Sequence, residues 1–261
     1  MVGKKKLQIG AIIRSSGERT TKLCVDSIKQ HCLVKNVKVI NESPFQEAMK
    51  KGVEVAKQNK FNWYLLVDAD AVLIENWRDI VEPILDDIKK NPRKYSKVYE
   101  IDFDIKDRFI DKPIQRAVYL VNQKTDYLRM KCLDKTYGKT KPEGSIRHEI
   151  EKMVYEYIYI KKIIAYHGFM QYKADIFNRF ALRACRNPEY ISRFNLFAGV
   201  DRHSKEVRIA KLGWSYGVSH KNNFSDFMNA NKKINIEKMG YEELKQLKIN
   251  LKEFYSIVGE F

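Results

Sequence analysis

The sequence predicts an α/β fold: a mostly parallel central sheet flanked by helices, followed by a helical C-terminal extension. Two observations carry this expectation. Within the first 70 residues apolar strands alternate with amphipathic helices in the order strand, helix, strand, helix, strand, which implies right-handed crossovers and a parallel sheet. The run Tyr64-Leu65-Leu66-Val67 is apolar throughout, as a strand covered on both faces should be, and it runs into Asp68-Ala69-Asp70.

Residues 7–13, Leu-Gln-Ile-Gly-Ala-Ile-Ile, read as the first strand, with Leu7, Ile9, Ala11 and Ile13 on one face. The polar loop Arg14-Ser15-Ser16-Gly17-Glu18-Arg19 leads into a helix capped by Thr20 or Thr21, with Cys24, Val25, Ile28 and Cys32 as its inner stripe. Residues 37–40 form a second strand that ends at Asn41-Glu42. Ser43 can cap the next helix, Pro44 suits its first turn and Gln46 completes a capping box. Phe45, Ala48, Met49, Gly52, Val53 and Ala56 then share one helical face. After the Asp68 strand, Trp77, Ile80, Val81, Ile84, Leu85 and Ile88 keep the helical period, while Pro83 predicts a kink or a helix start beside it.

Beyond Pro92, residues 98–103, 117–121 and 157–166 read as strands. The polar stretch 122–148, with Gly138 and Gly144, reads as a mobile substrate loop. Helices are expected over 173–186, around 224–237 and over 241–258. In the last, Leu244, Leu247, Leu251, Tyr255 and Val258 make a stripe that suits packing on the main domain better than a membrane.

A chain of 261 residues, 44% of them hydrophobic, can bury one large core, and six prolines with twelve glycines argue against low complexity. No apolar stretch approaches the ~20 residues that span a bilayer. The start Met1-Val2-Gly3-Lys4-Lys5-Lys6 lacks the apolar region of a signal peptide. The expected location is the cytoplasm, with adsorption to a membrane surface as the alternative. Cys24, Cys32, Cys132 and Cys185 include no Cys-x-x-Cys pair and read as buried free thiols of a reducing compartment. Forty-nine Lys and Arg against thirty-three Asp and Glu leave a net charge of +16, which suits polyanionic partners or a solvated lysine-rich surface. Zinc-ligand spacing, aromatic RNA-binding motifs and a helix-turn-helix pattern are all missing, so nucleic acid is not the expected partner.

The chemistry concentrates at Asp68 and Asp70. Ligands of open α/β sheets bind beyond the carboxyl ends of strands. Two aspartates one residue apart at such an edge can hold a hard divalent cation, and the cation can hold a diphosphate. A second triplet, Asp102-Phe103-Asp104, lies beside Lys106, Asp107, Arg108 and Asp111 and reads instead as a charged exposed turn. His167 ends an apolar strand before a glycine and is preferred as a further ligand over His220, which follows Trp214-Ser215-Tyr216-Gly217-Val218-Ser219. Asp68-Ala69-Asp70-Ala71-Val72 also matches the nucleophile motif of haloacid-dehalogenase-like phosphatases, in which the first Asp attacks phosphorus. That motif normally opens its domain, whereas two βα units precede it here. A sugar nucleotidyltransferase should carry a glycine-rich loop after the first strand, and residues 14–19 are not that loop.

Ile12-Ile13-Arg14, Ser43-Pro44-Phe45-Gln46-Glu47-Ala48, Gly52 and the run from Leu65 through Asp68 and Asp70 to Leu73 resemble the nucleotide-binding half of GT-A-fold (Rossmann-like) nucleotide-sugar glycosyltransferases, family 2-like enzymes in particular. The resemblance covers about residues 7–80, and more weakly Glu149 and the strand ending at His167-Gly168. It implies a glycosyltransferase domain over 1–221, with a nucleotide-binding half at 1–90 and an acceptor-side half at 91–221, and a helical extension at 222–261. It implies that Arg14 and Glu42 line the base and ribose pocket and that Asp68 bridges ribose and cation-bound groups. Asp70 and His167 would bind Mn²⁺ or Mg²⁺. Relatives often carry Asp after the second strand where this chain has Asn41-Glu42, so the base stays open, with UDP the expected nucleotide. A departing nucleoside diphosphate gathers negative charge that such a cation neutralises. Inverting transfer needs a base at the acceptor hydroxyl. The resemblance puts it at Glu149, with Glu143 and Glu151 as rivals. The implied activity is transfer from a nucleotide-sugar donor to a glycan, lipid-linked or protein acceptor, with peripheral contact to an anionic membrane surface.

Overall fold

The computed structural model describes residues 9–42, 45–110, 112–115, 117–133, 142–193, 196–197, 203–220, 237, 242 and 244–259. The α/β architecture, a mostly parallel central sheet flanked by helices, is the one observed. Strands β1 (Ile9–Arg14), β2 (Val34–Ile40), β3 (Trp63–Asp68), β4 (Ala71–Leu73), β5 (Val98–Asp107), β6 (Val118–Asn122) and β7 (Glu156–His167) form one sheet in the order β2-β1-β3-β6-β5-β7-β4. Parallel pairing joins β1 to β2, β1 to β3 and β5 to β7, while β6 and β4 run against their neighbours. Five strands therefore point one way, and their carboxyl ends open on a common edge.

The pleat sends alternate residues to opposite faces. Ala11, Ile13, Leu65, Val67, Ile101, Phe103, Val118 and Leu120 pack beneath α1 (Thr21–Lys29) and α3 (Trp77–Lys90), against Ile28, Trp77, Val81 and Leu85. On the other face Ile12, Tyr64, Leu66 and Tyr119 meet Ala48 and Ala56 of α2 (Phe45–Gln58). Tyr99 of β5 packs there with α4 (Asp126–Leu133) and α5 (Pro142–Glu151), through Leu128, Ile146 and Ile150. A separate cluster joins Phe109 and Ile110 to α6 (Lys173–Arg186) and α8 (Lys205–Ser219); the short α7 (Tyr190–Arg193) lies between them in sequence. A side chain at Gly213 or Gly217 would strike the α6 backbone at Phe177 or Ala181, so these glycines set how closely α8 approaches.

Several expectations change. Pro83 does not start α3, which runs through it, because Trp77, Val81, Leu85 and Ile88 are buried along one face and outweigh one missing backbone bond. The stretch 122–148 is not a loop throughout. A 3₁₀ turn at Gln123–Thr125, α4 and α5 occupy most of it, because Leu128, Cys132, Ile146 and Ile150 are buried on the sheet. Residues 134–141, with Gly138, lie outside the described residues, as do Ser43, Pro44 and most of 224–237. Among the described residues of the 241–258 segment, those before 251 are not helical, and the helix, here α9, is Leu251–Gly259. Its Phe254 and Val258 bury against Leu23, Val72 and Phe169, and Tyr255 Oη donates to Leu73 O at 2.7 Å, so the stripe does pack on the main domain. Cys24, Cys132 and Cys185 are buried free thiols, but Cys32, just past α1, is exposed. Among the described residues no helix is long and apolar enough to cross a membrane.

Candidate functional site

At the carboxyl edge β1 and β3 end side by side, with Arg14 opposite Asp68. Both side chains leave on the same face, and Arg14 holds Asp68 Oδ1 through Nη2 at 2.6 Å and Nε at 3.1 Å. Arg14 Nη1 also lies 3.5 Å from Met49 Sδ on α2, which ties the pair to that helix. Glu42 follows the end of β2 and is exposed on the same edge.

The turn after β3 is fixed from several sides. Ala69 N donates to Arg14 O at 2.9 Å, and Ala69 O accepts from Thr20 Oγ1 at 2.9 Å. Thr20 in turn accepts from Gln171 Nε2 at 2.9 Å. Of the two expected caps of α1, Thr20 and Thr21, Thr20 stands at the cap position, but its hydroxyl serves the aspartate turn. Asp70 O accepts from Gly168 N at 3.0 Å, so the turn is also tied to the end of β7.

That tie brings His167 to Asp70. In the antiparallel β4–β7 ladder Ala71 lies opposite His167, and His167 Nε2 stands 3.2 Å from Asp70 Oδ2. On the far side of the ring, Nδ1 lies 2.8 Å from Asp107 Oδ2 at the end of β5. Asp107 also pairs with Arg179 of α6, whose Nη2 lies 2.9 Å from His167 Nδ1. Burial opposes charge on every group here, yet the mutual attraction wins. The Asp70 carboxyl is lowered by His167 and Arg179, the Asp107 carboxyl is lowered by Arg179 and His167, and the His167 imidazole is raised by Asp70 and by its hydrogen bonds to the two carboxylates.

Asp70 and His167 could give a divalent cation two of its donors. Ligands at adjacent positions of an octahedral shell with ~2.1 Å bonds lie about 3 Å apart, close to the Asp70–His167 separation. A carboxylate behind the metal-ligating imidazole is also the usual second support of such sites. Among the described residues no group of three or more His, Cys, Asp or Glu side chains could hold a metal ion. Phosphate oxygens of a bound ligand would have to complete the shell.

The remaining candidates separate from this group. His220 ends α8, where its Nδ1 lies 2.8 Å from Tyr216 O and its ring stacks on Tyr216. Glu149 is partly exposed on α5 and pairs with Lys152 at 2.9 Å. Glu151 lies near Tyr99 Oη at 3.4 Å, and the Glu143 side chain lies outside the described residues. Asp102 and Asp104 do not form an exposed turn. They lie inside β5, fully and nearly fully buried, because the strand continues to Asp107 and α5 brings Arg147 over it. Arg147 bridges Glu100 and Asp102, Arg129 holds Glu100 at 2.7 Å, and Tyr159 Oη donates to Asp104 at 2.6 Å. Burial raises the Asp102 carboxyl to about 6, with Arg147 offsetting only part of the cost. Glu100, Arg129 and Arg147 of this network line a cleft with Leu66, Tyr119 and Met49, the residue that touches Arg14.

The sequence gives no sign that Asp107 and Arg179 belong to this site, and it marks Thr20 only as a possible helix cap. Asp107 was grouped with its charged neighbours, and only the parallel β5–β7 register, which sets it opposite His167, distinguishes it from them.

No family model and no curated protein matches the sequence. Among solved structures, the chain is similar to a glycosyltransferase involved in the glycosylation of the major capsid of PBCV-1, at 12% identity over 62% of this chain and 94% of that one, with a TM-score of 0.43. A cytidylyltransferase from Leptospira borgpetersenii serovar Hardjo-bovis is 10% identical over 84% of this chain and 98% of its own, with a TM-score of 0.42. S. aureus TarS 1-349, solved in complex with UDP, is 12% identical over 91% of this chain and 69% of its own, with a TM-score of 0.34.

Proposed function

We propose that this protein is a metal-dependent glycosyltransferase that moves a sugar from a nucleotide-diphosphate donor, a UDP-sugar, to a glycan, lipid-linked or protein acceptor, with inversion. The observation that carries the reading is the edge where β3 ends. Asp68 is held by Arg14 from β1, and one residue on Asp70 faces His167 from β7. Residues from three strand ends thus converge where α/β sheets bind ligands.

In this reading Arg14 and Glu42 flank the nucleoside, and Asp68, oriented by Arg14, accepts hydrogen bonds from the ribose. Asp70 and His167 would hold Mn²⁺ or Mg²⁺, which when bound supplies positive charge to the departing diphosphate. The imidazole ligand favours Mn²⁺ over Mg²⁺. Glu149 is assigned as the base that takes the acceptor hydroxyl proton. The +16 charge supports attraction to an anionic membrane or phosphorylated acceptor.

Thermal unfolding with a panel of nucleotide sugars, with and without Mn²⁺, tests the proposal. A donor at 100 times its Kd stabilises the fold by ~2.7 kcal/mol, which raises Tm by several degrees. A panel in which no nucleotide sugar stabilises the protein in a Mn²⁺-dependent way would remove the assignment.

A further inference from the structure

We propose that Asp107 is a positioning residue that holds His167 in the tautomer carrying its proton on Nδ1, so that the Nε2 lone pair faces Asp70. The inference rests on the cation-binding reading of Asp70 and His167 above and adds a residue to it.

A neutral imidazole has one ring proton, and two carboxylates flank this ring. Asp107 Oδ2 lies 2.8 Å from Nδ1, while Asp70 Oδ2 lies 3.2 Å from Nε2. The Asp107 side chain is fully buried and that of Asp70 is 22% exposed. The shorter, drier contact is the stronger hydrogen bond, so the proton belongs on Nδ1. With the proton on Nε2, the ring would donate to Asp70 and would have no lone pair to offer a cation there.

Asp107 is itself held in place. It lies opposite His167 in the β5–β7 register, and Arg108 N donates to His167 O at 3.0 Å just beyond it. Its Oδ1 accepts from Phe109 N at 2.9 Å, which turns Oδ2 toward the ring. Arg179 pairs with the same carboxylate and compensates its buried charge. Gly168 makes room for that guanidinium, since a side chain there would overlap Arg179. Arg179 Nη2 is also 2.9 Å from Nδ1. Both N–H donors converge on Asp107 Oδ2. The opposite arrangement, with Arg179 donating to a bare Nδ1, leaves the proton on Nε2 and is the competing state.

Ring-nitrogen NMR of the full chain labelled at histidine decides between them, in the absence of metal and at a pH where the ring is neutral, with the His167 signals identified by their loss in His167→Gln. The expected wild-type state is Nδ1–H. In Asp107→Leu, Nε2–H should become dominant. The double variant Asp107→Leu/Arg179→Met removes the orphaned charge and should fold even where the single variant does not. Mn²⁺ affinity by calorimetry should fall ~10–100-fold in the same variants. A wild-type Nε2–H ring, or an unchanged tautomer in the variants, would overturn the inference. A wild type with Nδ1–H that loses it in the variants, yet binds no Mn²⁺, would uphold the positioning role and overturn the cation reading instead.

Discussion

His167 lies opposite Ala71 in the β4–β7 ladder, and this register sets its imidazole 3.2 Å from the carboxylate of Asp70. A shift of one residue would turn the histidine to the other face of the sheet and break the pair. The candidate cation site is therefore a product of strand register, and its chemistry can be tested residue by residue.

Asp70→Asn should keep the fold and lose Mn²⁺-dependent binding of a nucleoside diphosphate. The change removes one charged donor while Gly168 N still bonds the backbone oxygen of residue 70. Calorimetry with UDP, with and without Mn²⁺, should show affinity lowered by at least ~10-fold in the presence of metal only. Equal metal-dependent affinity in the variant would rule Asp70 out as a ligand.

Glu149→Gln should lower turnover ~10²–10⁴-fold with donor affinity nearly constant, because it removes proton acceptance and preserves shape. Glu151→Gln and Glu143→Gln are the controls. If turnover collapses only in a control, the role of base moves to that residue.

Gly168→Ala should destabilise the protein and weaken Mn²⁺ binding together. Gly168 has φ +74°, a left-handed conformation that costs other residues ~1–2 kcal/mol, and the added methyl displaces Arg179 from Asp107. Urea denaturation should show the loss of stability. Wild-type stability in the variant would mean that Arg179 does not pack against this backbone.

Asp102 should make stability fall with rising pH in a defined window. Its folded carboxyl is held at about 6 against an ordinary value of 3.8, chiefly by burial, so the folded state binds the proton more tightly than the unfolded chain. That contribution is complete below about pH 4 and is lost as pH rises through about 6. Relative to Asp102→Asn, wild-type stability should drop by up to ~3 kcal/mol across the window. A stability difference that stays flat from pH 4 to 7 would show that the carboxyl is not raised.

The sequence by itself determined the elements whose signal is local. The helix over 173–186 was legible there, and an unbroken apolar run marked β3 and the edge at Asp68 and Asp70. Tertiary structure decided everything that depends on partners distant in the chain. Pro83 fits inside α3 because buried contacts outweigh one lost bond, a balance that no local rule contains. Asp102, Asp104 and Asp107 look alike in sequence; Arg147, Tyr159 and the His167–Arg179 pair reach them from other elements and give each a different role. Thr20 reads as a helix cap until β3 brings the Ala69 carbonyl beside it. The physical reason is the same in each case: periodicity reports which face of an element is buried, whereas the partner of a buried polar group is chosen by strand register and helix packing.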